Sequence, residues 1–160
     1  MKLHVLFTLA GVEYALPFDS VLQMEGYAGA TLVPGAPAYV DGIVTVRGMV
    51  VPVLDLRTRF GLPRAEIGLD TRIIVAECSG RVVALRVDSA REVLKLDIEK
   101  NQPAPSIVSE RSSGFVHAVH ALGKRLLLLI DLPKLLGENS HDLPHALPHA
   151  DGTTRFQLPS

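Results

Sequence analysis

Apolar and polar residues alternate from the start of the chain. Leu3, Val5, Phe7 and Leu9 share one parity, the period of two that marks a half-buried β-strand and leaves His4 on the outward side. Ala10-Gly11 turns the chain, and Val12, Tyr14 and Leu16 alternate back, so residues 3–16 read as a hairpin. Pro17 and Asp19-Ser20 mark a bend before a short segment, 21–27. Residues 31–37 hold Pro34-Gly35 and Pro37 and read as a loop, and 38–41 as a single helical turn ending at Gly42. Strands follow at 43–47 and 49–56, joined at Gly48, with Pro52 calling for an edge or a bulge. Asp55 is placed to cap a short helix, 56–60, that stops at Gly61.

The second half has the same grammar. Residues 71–78 and 81–88 form a hairpin about Ser79-Gly80, and 91–98 a further strand. Residues 100–114, with Pro103, Pro105 and several serines, read as a loop. Strands at 115–122 and 125–130 turn at Gly123, and Asp131 caps a last short helix that stops at Gly137. The likeness extends to residue identities. Gly, Ala, Leu, Asp and Ser recur at the same relative positions in Gly11-Val12-Glu13-Tyr14-Ala15-Leu16-Pro17-Phe18-Asp19-Ser20 and Gly80-Arg81-Val82-Val83-Ala84-Leu85-Arg86-Val87-Asp88-Ser89. Val53-Leu54-Asp55-Leu56 is echoed by Leu129-Ile130-Asp131-Leu132, each Asp standing six residues before a Gly. Two matches in the same order point to a duplicated β unit. About ten short strands then make an all-β protein divided between two small barrels of about five strands each. The seam between them is a natural place for a partner. Residues 1–138 are the folded domain. In 139–160, Pro144 and Pro148 break the His-Pro repeat and forbid a helix, so this segment reads as a flexible tail.

Composition removes several classes of function. With 16 basic and 17 acidic residues in 160, the net charge is −1 and no basic stripe is visible, which argues against nucleic acid. Aromatic residues are 5% and Trp is absent, so there is no stacking platform for single strands. Cys78 is alone, which fits a reducing compartment. The longest apolar run, 126–130, is too short to span a bilayer. The expectation is a soluble cytoplasmic protein with no membrane insertion.

Candidate chemistry is sparse. His117 and His120 are three apart in a strand and face opposite ways, and His141, His145 and His149 lack the helix that would align them, so no metal site is assigned. Ser20 and Ser89 follow Asp at bends, where a hydroxyl caps backbone groups. Cys78 has no nearby His in sequence. No phosphate loop or nucleophile elbow occurs, so neither a cofactor nor a catalytic residue is assigned. Arg47, at a hairpin tip before Gly48, can reach a carboxylate or carbonyls across a seam. An ordinary surface arginine reads the same way.

The central run Gly42-Ile43-Val44-Thr45-Val46-Arg47-Gly48, continuing to Val51-Pro52-Val53-Leu54-Asp55-Leu56-Arg57, carries a resemblance. With it go Tyr14-Ala15-Leu16-Pro17, Val33-Pro34-Gly35-Ala36-Pro37, Val87-Asp88 and the segment 127–136. Over residues 3–137 the chain resembles the CheW family of bacterial chemotaxis coupling proteins and the related regulatory domain of the CheA kinase. The resemblance implies two intertwined five-stranded barrels and a non-enzymatic adaptor without cofactor. It implies two partners: the signalling tip of a chemoreceptor's helical hairpin, and the regulatory domain of a CheA-type histidine kinase. It implies recruitment to membrane-associated receptor arrays. Carried across, the receptor groove comprises Val21, Gln23, Gly42, Arg47, Val87 and Val93, with Gly42 keeping the backbone clear for close approach. The family often has Glu in place of Gln23 and Asn in place of Thr45, which points to altered partner specificity. The alternatives are an adaptor of a non-flagellar pathway, such as pilus motility or surface sensing, and a small β-barrel hydrolase, for which no nucleophile and base are paired.

Overall fold

The computed structural model describes residues 1–137 and two short strands, 145–148 and 154–157. In chain order the elements are β1 (Lys2–Leu9), β2 (Val12–Pro17), β3 (Val21–Gly26), β4 (Val40–Val46), β5 (Met49–Asp55), α1 (Leu56–Arg59), β6 (Arg72–Cys78), β7 (Arg81–Val87) and β8 (Ser89–Leu96). Then come β9 (Gln102–Pro103), α2 (Ser106–Arg111), β10 (Val116–Leu122), β11 (Arg125–Ile130), α3 (Leu132–Leu136), β12 (His145–Pro148) and β13 (Thr154–Gln157). Three hairpins turn on the same dipeptide geometry. Ala10, Arg47 and Ser79 have φ of 50°, 50° and 51°, and each is followed by a left-handed Gly, the type I′ form whose twist suits antiparallel strands.

The sheet orders explain the duplication. One sheet runs β8-β1-β2-β11-β10-β9 and the other β3-β6-β7-β5-β4. Each has a hairpin flanked by one strand on one side and by a second hairpin on the other. The first repeat keeps β1-β2 in the first sheet and sends β3, β4 and β5 to the second. The second repeat keeps β6-β7 in the second sheet and sends β8, β10 and β11 to the first. The parallel contacts β2–β11 and β5–β7 mark where the repeats join. This exchange is the physical content of the intertwining.

Neither sheet is closed. Its hydrogen-bonded order ends at β8 and β9 in one case and at β3 and β4 in the other. The closed barrels expected from sequence are therefore corrected to two curled, open sheets. Each sheet still buries a cluster of its own, Leu6, Leu96, Ala118, Leu127 and Leu129 in the first and Val46, Val53, Ile73, Val75 and Ala84 in the second. The other faces meet in one larger central cluster that includes Val5, Phe7, Leu16, Leu54, Ile74 and Leu85. A strand here is buried on both sides, so β1 is not the half-buried strand its alternation suggested. His4 is 4% exposed and points with Leu6 into the first curl, not outward.

The fold carries one pH prediction. Burial lowers the pKa of His4, against the hydrogen bond of its Nδ1 to the Lys2 carbonyl. A folded pKa below the unfolded value means that protons favour the unfolded chain. The stability held by neutral His4 is complete above about pH 6.5 and declines as pH falls below it. Urea melts at a series of pH values should show this decline flattened in His4→Leu; an unchanged slope would remove His4 as its cause.

Other details depart from the sequence reading. α2 lies inside the stretch expected to be a loop; it is six residues long and starts directly after Pro105, too short to show a helical period. Residues 38–41 make a turn closed by Val40 N–H to the Pro37 carbonyl, and Val40 already belongs to β4. Pro52 sits within an interior strand, where the ladder to β7 begins only at Val53. The expected tail, 139–160, lies outside the described residues except for β12 and β13, which pair antiparallel. The two short helices capped by aspartate form as read. Asp55 accepts from Arg57 N–H and Asp131 from Lys134 N–H, each cap contributing about 1 kcal/mol.

Candidate partner-binding groove

The two sheets bury their shared cluster between them, and the edge strands β3 and β8 each place a partly buried residue against it. These are Val21 and Ala90. Strand register decides which neighbours join them, because residues directly opposite in a ladder share a face. On β8, Val93 pairs with Val5 and Ala90 with Phe7, both members of the central cluster. On β3, Val21 pairs with Ala76, also of that cluster. A bulge then intervenes at Leu22, and Gln23 pairs with Val75, which belongs to the second sheet's own cluster. One extra residue moves the side chains beyond it to the other face. Gln23 and Glu25 therefore face into the curl of the second sheet, and Met24, opposite Ile74, takes the place beside Val21. Val21 and Met24 on β3, and Ala90, Val93 and Leu3 on β8 and β1, thus lie on the faces turned toward the central cluster. Met24 is 38% and Val93 40% exposed.

The positions expected from sequence thus separate. Val21 and Val93 lie on the faces of β3 and β8 that turn toward the central cluster. Arg47 lies at the end of the second sheet where β3 begins, since β3 runs with β5 and against β4. It is exposed, and no ion pair or hydrogen bond engages its side chain among the described residues. Gln23 donates from Nε2 to Glu25 Oε2, and its Oε1 is buried without a partner among the described residues. Val87 is 1% exposed inside the central cluster and presents no surface. Gly42 sits at a bulge of β4 with φ +148°, and a Cβ there would stand 2.3 Å from the Thr31 carbonyl oxygen. The close approach that Gly42 permits is made by the chain itself, through the reciprocal Thr31–Ile43 hydrogen bonds. Thr45 is exposed on β4.

Sequence reasoning missed Met24, Leu3 and Ala90. Their signal is register, which one chain does not reveal. It also missed what pins the groove. Asp88 stands where the chain leaves the second sheet for the first. It takes two hydrogen bonds from the Arg57 guanidinium, at 2.8 and 2.6 Å, and one from Ala10 N–H. Burial opposes ionisation of this carboxyl, but those donors outweigh it and hold its pKa below the usual range. At the same end of the second sheet, Asp41 binds Tyr27, Arg64 and Arg86, so a buried arginine is neutralised and the loop after α1 is strapped down. Ser89 bonds to the Thr8 hydroxyl and not to backbone.

Among the described residues no group of three or more His, Cys, Asp or Glu is placed to hold a metal. His117 is exposed and His120 buried, on opposite faces of β10. What these edges offer is a set of partly exposed apolar side chains, with the Arg47 cation exposed at the β4–β5 turn of the same sheet.

Residues 3–140 match the CheW-like domain family. The chain belongs to the CheW-like family. It is 33% identical to the chemotaxis protein CheW of Klebsiella aerogenes over 132 residues, 82% of this chain and 80% of that protein. It is 33% identical to the chemotaxis protein CheW of Bacillus subtilis over 136 residues, 85% of this chain and 87% of that protein. Its structure is similar to the crystal structure of the scaffolding protein TtCheW from Thermoanaerobacter tengcongensis. The TM-score is 0.80 at 30% identity, covering 89% of this chain and 97% of that one. The CheW-like fold accounts for the two curled sheets and their exchange of strands.

Proposed function

We propose that this chain is a non-enzymatic coupling protein, holding the helical tip of a chemoreceptor in the β3–β8 groove while another face meets the regulatory domain of a CheA-type histidine kinase. The observation that carries the reading is the pair of open sheet edges, β3 and β8, that carry partly exposed apolar residues in a CheW-like fold. A helix laid along such edges inserts apolar side chains at the spacing of its turns. Arg47, exposed at the β4–β5 turn, suits a carboxylate or the carbonyls of a helix terminus. Modest affinity for each of two partners is enough, because many linked contacts make a stable assembly. No described helix is long and apolar enough to cross a membrane, so membrane-bound receptors would provide the anchor.

The test is reconstitution of the cognate receptor signalling fragment and kinase with and without the protein, following co-sedimentation and kinase autophosphorylation. A ternary pellet with stimulated kinase is the expected outcome, and binding to neither partner would overturn the reading. Arg47→Ala should leave the melting temperature near wild type, since the side chain is exposed and makes no hydrogen bond or ion pair among the described residues, and weaken receptor binding about tenfold. Unchanged receptor affinity would place Arg47 outside the site.

A further inference from the structure

A second opening lies at the other end of the central cluster, where α2 faces the segment after α1. Its volume is about 390 Å³, and its walls include Tyr14, Phe60, Leu62, Val108 and Leu128, with Arg111 among them. The size suits a small organic molecule. The aromatic walls are fixed: Tyr14 stacks on Phe7 at 5.5 Å and meets the Phe60 ring edge-on at 5.3 Å. Two donors here lack acceptors. Tyr14 is 7% exposed, yet its hydroxyl makes no hydrogen bond among the described residues. Burial raises its pKa, so the phenol stays protonated and able to donate. Arg111 is exposed at the end of α2, and no carboxylate pairs with it among the described residues. A guanidinium beside a hydrocarbon cavity favours an anion.

We propose that this opening is a binding site for a small amphiphilic carboxylate, its hydrocarbon against Phe60, Val108 and Leu128 and its oxygens accepting from Arg111 and the Tyr14 hydroxyl. The site is distinct from the β3–β8 groove and does not depend on the coupling role. A ligand there would bridge α2 to the Phe60 segment and so set the position of α2, whose Ile107 is 63% exposed.

Decanoate is the probe, titrated into the full chain by calorimetry and by amide chemical shifts. Saturable one-to-one binding is expected, with Kd about 1 mM or tighter for a ligand of this size. Arg111→Gln should weaken it about tenfold and Tyr14→Phe about threefold. Val108→Trp, which fills the opening, should abolish it. Each variant is checked for a cooperative melt, and Arg111→Gln, at an exposed position, keeps the test valid if a core variant fails to fold. Decyltrimethylammonium should not bind. Absence of saturable decanoate binding, equal binding of the cationic probe, or decanoate affinity unchanged by both Arg111→Gln and Val108→Trp would each overturn the proposal. So would loss of kinase binding in Val108→Trp with no decanoate binding to the wild type, which would assign the opening to a protein side chain.

Discussion

Replacing Gly42 by alanine is expected to destabilise the protein by about 3 kcal/mol or more, lowering Tm by about 10 °C. Two effects combine. The backbone φ of +148° is open to glycine and strained for any other residue. A methyl group would also stand 2.3 Å from the Thr31 carbonyl oxygen and 2.8 Å from its carbon. Relief requires the 27–31 segment to leave β4, breaking the two Thr31–Ile43 hydrogen bonds of 3.0 and 2.8 Å. Gly11→Ala is the control. Gly11 also has positive φ, but nothing lies within 4 Å of its Cβ position, so only the conformational cost of about 1 kcal/mol applies. Denaturant melts of both variants separate the clash from the conformation. Equal losses would mean that the Thr31 contact yields at no cost. Receptor binding by Gly42→Ala should follow the folded fraction; a fully folded variant that fails to bind would return Gly42 to the contact surface.

The second large effect belongs to Met24. Met24→Asp should reduce receptor binding by about 30-fold or more, because a carboxylate would be buried against an apolar helix face without a partner. Stability should change by less than about 1 kcal/mol, since Met24 is at a sheet edge and partly exposed in the free protein. Gln23→Glu should behave in the opposite way. Gln23 faces into the second sheet and donates to Glu25. Glutamate there replaces a donor with a second carboxylate beside the first, which costs stability and leaves the groove unaltered. Calorimetric titration with the receptor signalling fragment, paired with urea melts, distinguishes the two faces of β3. Loss of binding in Gln23→Glu with normal affinity in Met24→Asp would mean that the bulge at Leu22 does not hold in solution.

Gln23 and Met24 show where legibility ended. The bend at Pro17 and Asp19-Ser20 marked 21–27 as a segment of its own, and the resemblance put Val21 and Gln23 together in the groove. A β-bulge adds one residue without a distinctive residue type; Leu22 carries no Gly or Pro to announce it. Val87 was placed in the groove by the same resemblance, and it is 1% exposed because strands buried on both faces leave no outward parity. His4 was misread by alternation for that same reason.

Local chemistry, by contrast, was decided by the chain alone. The dipeptides Ala10-Gly11, Arg47-Gly48 and Ser79-Gly80 turn because a left-handed pair needs glycine second. Asp55 and Asp131 start helices because a short carboxylate reaches the free N–H groups of the next turn. The repeat was visible because both copies need the same turns, caps and apolar alternation. What required the tertiary structure was the exchange of three strands between the repeats, the open edges of both sheets, and the groove those edges leave. Each depends on which strand pairs with which, and in what register. Such pairings join residues far apart in the chain, and their choice rests on the summed burial of two faces at once, a quantity that no local window of sequence contains.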